Sequence, residues 1–216
     1  MTTLPVTTPR KKQPDSVEPP RNVFERGSNA VNRAGPDDVI LQDLAHICGN
    51  LRHEFGQMAG RNLLVVGGAG FLGYYLVQSV LAWNRVASAD KKIRLTVFDN
   101  FIRGVPEWLD RLRSDENLTV VRRNVLEPMS EDAGDFHFIV HAASIASPTY
   151  YRKFPIETMD ANVNGLRNLL DYFRLQKKRG KFVGGLLFFS SSEIYGDPTP
   201  EHIPTPETYR GNVSCT

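Results

Sequence analysis

Three glycines spaced three residues apart, Gly67, Gly70 and Gly73, separate a strand-like run of apolar residues from a helix-like one. Before them, Asn62 to Val66 is a short apolar run, typical of a strand covered on both faces. After them, Tyr74 to Trp83 favours a helix. A strand, a glycine turn and a helix in this order are typical of a loop that holds the phosphates of a dinucleotide.

Each glycine has a physical reason in such a loop. Gly67 permits the tight turn out of the strand, Gly70 lets the backbone approach a pyrophosphate, and Gly73 allows the helix to pack closely on the strand. The start of the helix presents free N–H groups and the positive end of its dipole. We therefore predict a cofactor site that contains Gly67, Gly70, Phe71, Leu72 and Gly73. A purely structural glycine turn is the alternative.

An acid follows the second predicted strand, Ile93 to Phe98. Asp99 is placed to accept hydrogen bonds from the ribose hydroxyls of an adenosine, and its charge would repel a 2′-phosphate. NAD is therefore the expected cofactor in preference to NADP, although Arg103 weakens this preference. The acid lies 32 residues after Gly67, so the polar stretch 84–92 is predicted to be a surface insertion.

Further cofactor contacts are predicted at the ends of later strands. Asn124 could accept a hydrogen bond from the adenine amino group or could simply be a turn residue. The remaining predicted contacts are Asn100, Phe101, Gly104, Val125, Ala142, Ala143 and Ser144.

The rest of the chain continues to alternate strand and helix patterns. Strands are predicted at Leu118 to Val121, Phe136 to Val140 and Leu186 to Phe189, with a helix from Pro155 to Gln176. This alternation indicates an α/β fold, a Rossmann-like doubly wound parallel sheet with helices on both faces. We assign it to residues 61–216.

The N-terminal 60 residues differ from this pattern. Residues 1–36 hold six of the 14 prolines and are predicted to be a disordered leader. Residues 37–60 are predicted to form one amphipathic helix, because apolar residues recur every three or four positions. The predicted apolar face consists of Ile40, Leu44, Ile47, Leu51 and Phe55.

Composition excludes several classes of protein. The leader carries six Lys/Arg against three Asp/Glu and the remainder 20 against 21, so the body lacks the basic field of a nucleic-acid-binding protein. The longest nearly apolar stretch, Leu63 to Val77, is too short and glycine-rich to span a membrane, and the N-terminus is not a secretory signal. Cys48 and Cys215 indicate neither a disulfide framework nor a metal site and suit the cytoplasm.

The glycines, HAAS (141–144) and SSSEIYGDP (190–198) together resemble the extended short-chain dehydrogenase/reductase family of NAD-dependent epimerases and dehydratases. The resemblance covers about residues 61–216. Within this family, DNFIRG (99–104) and the ASP-x-YY segment (146–151) resemble the UDP-glucuronate decarboxylases most. The resemblance implies NAD as cofactor, a nucleotide-sugar substrate and a homodimer.

The resemblance also implies a reaction. NAD⁺ removes hydride from C4 of the sugar, CO₂ leaves from C6 beside the 4-keto group, and hydride returns to C4, giving UDP-xylose or its 4-keto-pentose. Ser191 matches the catalytic hydroxyl and Glu193 the acid or base of the decarboxylases. Ser192 stands where 4,6-dehydratases carry an aspartate, and a serine can bind a carboxylate that an aspartate would repel. Tyr151 matches a substrate contact.

Three further residues receive structural roles from the resemblance. Asn162 is expected to tether its helix to the active-site strand, His141 to pack at a strand end, and Tyr195 to anchor a loop.

The family's catalytic Tyr-x-x-x-Lys is absent, because none of the seven tyrosines is followed four residues later by lysine. The sequence is therefore expected to be the N-terminal part of a longer lyase, without the C-terminal substrate lobe. The alternatives are a 4,6-dehydratase or 4-epimerase and, in a different class, a non-catalytic NAD-binding module.

Overall fold

A computed structural model describes residues 35–129 and 133–213. The leader predicted for residues 1–36 lies outside the described residues except for Gly35 and Pro36, and Cys215 lies outside them too. Five strands form one sheet in which every neighbouring pair is parallel. The strands are β1 (Asn62–Val66), β2 (Arg94–Asp99), β3 (Leu118–Arg122), β4 (Phe138–His141) and β5 (Gly185–Phe188).

Within the described ranges, six α-helices surround or precede this sheet. They are α1 (Pro36–Asn50), α2 (Arg52–Met58), α3 (Phe71–Val86), α4 (Glu107–Leu112), α5 (Pro148–Lys153) and α6 (Pro155–Lys178). The long helices α3 and α6 were predicted from the sequence, whereas the short helices α4 and α5 were not. None of the helices in the described ranges is long and apolar enough to cross a membrane.

The sheet carries a separate hydrophobic cluster on each face. Along β1, Leu63 and Val65 belong to the cluster that includes residues of α3, while Leu64 and Val66 belong to the cluster that includes residues of α6. All four side chains are buried, as expected for a central strand covered on both sides. The predicted α/β, Rossmann-like doubly wound fold is confirmed.

Strand order determines where a ligand can bind. The order is β3-β2-β1-β4-β5, so the chain moves outward from β1 in both directions. Val66 pairs with Phe98 on one side and with His141 on the other, so these strands end at the same level. Ligands of such sheets bind beyond the carboxyl ends of the strands at this reversal. The loops after β1, β2, β4 and β5 meet there.

The N-terminal segment predicted as one helix forms two. The chain leaves helical geometry between α1 and α2 at Leu51, whose side chain is 42% exposed although it was assigned to the apolar face. Leu44 and Phe55, from the same predicted face, are buried. Helices α1 and α2 thus share one buried side, which packs against α3.

The prediction that 84–92 is a surface insertion is wrong at its first residue. Asn84 lies in the last turn of α3 and is buried. Its amide donates to the carbonyl of Ile93 and its oxygen accepts from the N–H of Ile93, each at 2.8 Å. The Asn84 side chain therefore pairs with both backbone groups of Ile93, as the backbone of an adjacent strand would. This pairing fixes the position of the chain where it enters β2.

Candidate cofactor and active site

The glycine loop follows β1 and is shaped by contacts that a side chain would prevent. Gly67 has φ +82°, and a Cβ there would lie 2.5 Å from the amide nitrogen of Ala143. A Cβ at Gly73 would lie 2.1 Å from the carbonyl oxygen of Gly68. At Gly70 the nearest protein atom would be 3.3 Å away, so its backbone is the least enclosed of the three. These distances agree with the roles predicted for the three glycines.

Helix α3 begins immediately after the loop, with Gly70 as its extended N-cap. The first turn of a helix leaves its N–H groups without helical acceptors, so those of Phe71 and Leu72 remain available. The Phe71 side chain is 88% exposed and does not cover them. This open helix start fits a pyrophosphate.

The carboxylate of Asp99 lies against the glycine loop. One oxygen accepts a hydrogen bond from the N–H of Ala69 at 3.0 Å, and the other accepts from the N–H of Phe101 at 2.8 Å. Each carboxylate oxygen can accept more than one hydrogen bond, so both can still receive ribose hydroxyls. The structure thus brings the acid of the second strand onto the phosphate loop. Ala69, whose amide makes the connection, was missed because an N–H donor leaves no side-chain signal.

The loop after Asp99 contains four predicted cofactor residues. Phe101 has φ +51°, and its side chain is buried in the core beneath the guanidinium of Arg122. The Phe101 side chain therefore belongs to the core, and only the Phe101 backbone lies in the loop. The oxygen of Asn100 accepts from the N–H of Ile102, a local turn bond. Arg103 and Gly104 are exposed.

The residues after β3 form a turn. The side-chain oxygen of Asn124 accepts from the N–H of Leu126 at 3.1 Å, which agrees with the alternative of a turn residue. The side-chain amide of Asn168 on α6 donates to the carbonyls of Val125 and Leu126, each at 3.0 Å. The Val125 side chain packs toward α6, where a Cβ at Gly165 would touch it.

The expected tether by Asn162 is not observed. Its amide donates to the carbonyl of Thr158, one turn back on the same helix. Asn168, six residues later, makes the connection from α6 to the loop after β3 instead. The sequence signal that could have identified Asn168 is its place directly before Leu169, an apolar residue that the structure shows to be buried.

The end of β4 lies beside the glycine loop. The N–H of Ala142 donates to the carbonyl of Val66 at 2.8 Å, and Ala143 contacts Gly67 as described above. His141 is fully buried, and both of its ring nitrogens lack hydrogen-bond partners among the described residues. Burial lowers the pKa of His141; the nearby backbone of Ala161, which does not meet the geometry of a hydrogen bond to the ring, raises the pKa by less. His141 therefore packs at the strand end, as predicted, while Ser144 is exposed.

The serine-rich segment follows β5. Ser191 is the N-cap of a single 3₁₀ turn, and its hydroxyl oxygen accepts from the N–H of Glu193 at 3.2 Å. The Ser191 hydroxyl retains its own proton for donation. Ser192 and Glu193 lie in the turn with exposed side chains. Since β5 pairs with β4 through Phe188 and His141, this turn lies at the same edge as Ser144.

Two tyrosines complete the predicted set. Tyr151 lies on α5, which follows the segment after β4, and its ring is 38% exposed. Tyr195 ends the 3₁₀ turn, and its carbonyl accepts from the N–H of Asn212 at 2.8 Å. The Tyr195 carbonyl thus connects this turn to the segment before Val213, whereas the Tyr195 side chain is only half-buried and is not a buried anchor.

The site residues divide into two groups. The predicted cofactor group, from Gly67 to Asp99, is held together by direct hydrogen bonds between the glycine loop and the end of β2. The second group, Ser191 to Glu193 with Tyr151, has exposed side chains at the same sheet edge. No cluster of three or more His, Cys, Asp or Glu suited to a metal occurs in the described ranges.

Comparison with known proteins identifies relatives of this arrangement. Residues 63–213 match the sequence model of the NAD dependent epimerase/dehydratase family. UDP-glucuronic acid decarboxylase 1 of Arabidopsis thaliana is 38% identical over 152 residues, which is 70% of this chain and 31% of that protein. UDP-glucuronic acid decarboxylase 5 of the same plant is 32% identical over 76% of this chain and 43% of its own length. The chain therefore spans less than half of these relatives.

Solved structures share the fold. The dTDP-glucose 4,6-dehydratase DesIV from Streptomyces venezuelae, crystallised with NAD bound, is 25% identical, with a TM-score of 0.53. The similarity covers 64% of this chain and 42% of that enzyme. This similarity supports the assignment of the sheet and the glycine loop to the same fold.

Proposed function

Because this chain belongs to the NAD dependent epimerase/dehydratase family, we propose that it binds that family's cofactor, NAD, at the glycine loop. The observation that carries this proposal is the hydrogen bond between Asp99 and the N–H of Ala69. It supports a ribose-binding role for Asp99, because it holds the carboxylate beside the open start of α3. The amides of Phe71 and Leu72 would bind the pyrophosphate, and Asp99 the ribose hydroxyls. Bound NAD would accept a hydride from a substrate carbon and return it.

We propose further that the full-length protein decarboxylates UDP-glucuronate to UDP-xylose or its 4-keto-pentose. The names of the relatives at 32–38% identity support this substrate. Ser192 supports the reaction, because a hydroxyl there can donate to the C6 carboxylate of the sugar. An aspartate at this position would repel that carboxylate.

Each neighbouring residue then has a distinct role. The Ser191 hydroxyl, held by the N–H of Glu193, would donate a hydrogen bond to O4 of the sugar, and a separate base would take the O4 proton as hydride leaves C4. The Glu193 carboxylate would act as acid or base on the C5–C6 side. The exposed ring of Tyr151 would contact the sugar from α5.

The reaction can be tested by product analysis. Full-length protein, including any sequence that follows Thr216, is incubated with NAD and either UDP-glucuronate or dTDP-glucose, and products are measured by mass spectrometry. We expect loss of CO₂ from UDP-glucuronate. Loss of water from dTDP-glucose, with UDP-glucuronate unchanged, would instead identify a dehydratase.

A charge substitution tests the role of Ser192. Ser192→Asp is expected to lower kcat/KM for UDP-glucuronate by about tenfold or more, through repulsion of the substrate carboxylate. Ser114→Asp makes the same charge change at an exposed serine just before β3, at the opposite edge of the sheet, and should leave kcat/KM unchanged. Equal losses in both variants would mean that Ser192 does not face the carboxylate.

A further inference from the structure

Helix α1 borders the predicted cofactor loop although it lies before the residues that match the family, 63–213. Ile40 on α1 lines the same surface groove as Gly70 and Phe71 at the start of α3. The groove has a volume of about 510 Å³. Its other lining residues are Ala69, Tyr74, Tyr75, Arg103 and Trp108.

Contacts other than Ile40 hold α1 in this position. The Tyr75 hydroxyl on α3 donates to the Asp43 carboxylate at 2.6 Å. The Cys48 thiol donates to the carbonyl of Ser79 at 3.4 Å. Leu44, which lies between Asp43 and Cys48 in the sequence, is buried. Ile40 is only half-buried, so its side chain can be changed without removing the contacts that attach α1.

Two features at the loop end of the groove suit an anion, and the other side chains that line it are uncharged. Arg103 supplies a cation at its lining, and the first turn of the 16-residue helix α3 supplies the positive end of a dipole. The groove is continuous with the loop that Asp99 contacts through Ala69. A ligand held at the loop by its diphosphate would therefore have α1 beside it.

We propose that α1 is part of the cofactor site, with Ile40 on the outer wall of a groove that receives the diphosphate–ribose portion of NAD. This inference rests on the proposed binding of NAD at the glycine loop. It adds to that site an element from outside the family region. The consequence is that the charge at position 40 should control the affinity for NAD.

The test reverses the charge at one position. Binding of NAD to the 216-residue chain is measured by calorimetry for wild type, Ile40→Lys and Ile40→Asp, with Leu41→Lys and Leu41→Asp as controls. Leu41 is the next residue on the same helix, so each control variant has the same net charge as its Ile40 counterpart. The Leu41 residue is 51% exposed, so it can carry a charge. Each variant is also melted to measure its stability.

We expect Ile40→Lys to tighten NAD binding and Ile40→Asp to weaken it, each by about threefold, as unit charges on the order of 10 Å apart near a protein surface would give when screened by about 0.1 M salt. The difference should shrink at high ionic strength. The Leu41 pair should differ by less than about twofold, because their charges lie farther from the groove.

Several results would overturn the inference. Equal effects at positions 40 and 41 would show that only net charge matters. Loss of affinity in both Ile40 variants, with lowered stability, would show that α1 is a structural support alone. Should Ile40→Asp fail to fold, absence of tighter binding in Ile40→Lys decides against the proposal. A wild-type chain that binds no NAD would overturn the proposed function itself, and this inference with it.

Discussion

Asp99→Asn separates the structural role of this carboxylate from its proposed role in binding the ribose. In the wild type its oxygens accept two backbone N–H groups, from Ala69 and Phe101. Asparagine keeps the shape but has one oxygen, so its NH₂ group must face one of these N–H groups. One charge-assisted hydrogen bond is lost, which costs about 1.5–3 kcal/mol of unfolding free energy.

The size of this effect can be measured by thermal melting and calorimetry. For a chain of this length, about 1.5–3 kcal/mol corresponds to a decrease in Tm of roughly 3–12 °C. Weaker acceptance of the ribose hydroxyls by a neutral amide should also weaken NAD binding by about 10- to 150-fold.

Asp110→Asn is the matched control. Asp110 lies on α4 in an exposed ion pair with Arg113. Its substitution should change stability by less than about 0.5 kcal/mol and leave NAD affinity unchanged. An unchanged Tm for Asp99→Asn would refute the structural role of Asp99, and an unchanged NAD affinity would refute its ribose contact.

Three further predictions follow from the glycine loop, from the buried histidine and from the missing catalytic motif. Gly73→Ala should abolish NAD binding in calorimetry, because its Cβ would lie 2.1 Å from the Gly68 carbonyl; Gly49→Ala on α1, where no atom lies within 4 Å, should instead raise Tm slightly. Burial lowers the pKa of His141, so its contribution to stability should be complete above about pH 6.5 and be lost as pH falls through the lowered value. The decrease in Tm between pH 7.5 and 5 should be smaller in His141→Leu, and an equal decrease in variant and wild type would contradict this. The 216-residue chain should bind NAD without turning over UDP-glucuronate, since it lacks Tyr-x-x-x-Lys and general base catalysis contributes about 10²–10⁴-fold; multiple turnovers measured as CO₂ release would disprove this.

The strands and the glycine loop could be predicted because their signals are local. Gly67 and Gly73 are required by backbone contacts within the loop and with the adjoining strand end, as is typical of the first strand-to-helix turn of a dinucleotide-binding fold. The strand predicted to begin at Ile93 begins at Arg94, one residue later. The position of Asp99 followed from the end of that strand.

Side-chain directions could not be predicted in the same way. Phe101 was assigned to the cofactor because of its place in the loop, yet a positive φ turns its ring into the core. Asn162 and Asn168 lie on one helix, and the direction of each depends on how α6 is rotated against the sheet. That rotation is set by packing between distant residues, which a pattern of apolar positions specifies only coarsely.

At Asn84, the polarity of the sequence led to a wrong prediction of solvent exposure. A polar stretch normally indicates solvent exposure, but this amide replaces backbone pairing and is buried. Sequence polarity alone does not distinguish a solvated side chain from one whose hydrogen bonds are satisfied inside the protein.

The bond between Asn84 and Ile93 also makes the intervening segment dispensable for the register of the sheet. Because both backbone groups of Ile93 are held by the end of α3, the start of β2 is fixed without help from the residues between them. Extra residues between Ala87 and Ser88 would lengthen a surface loop at little entropic cost. This junction is therefore a suitable place to introduce an epitope tag or a fluorophore attachment sequence while leaving the proposed nucleotide-binding edge, at the other end of the strands, undisturbed.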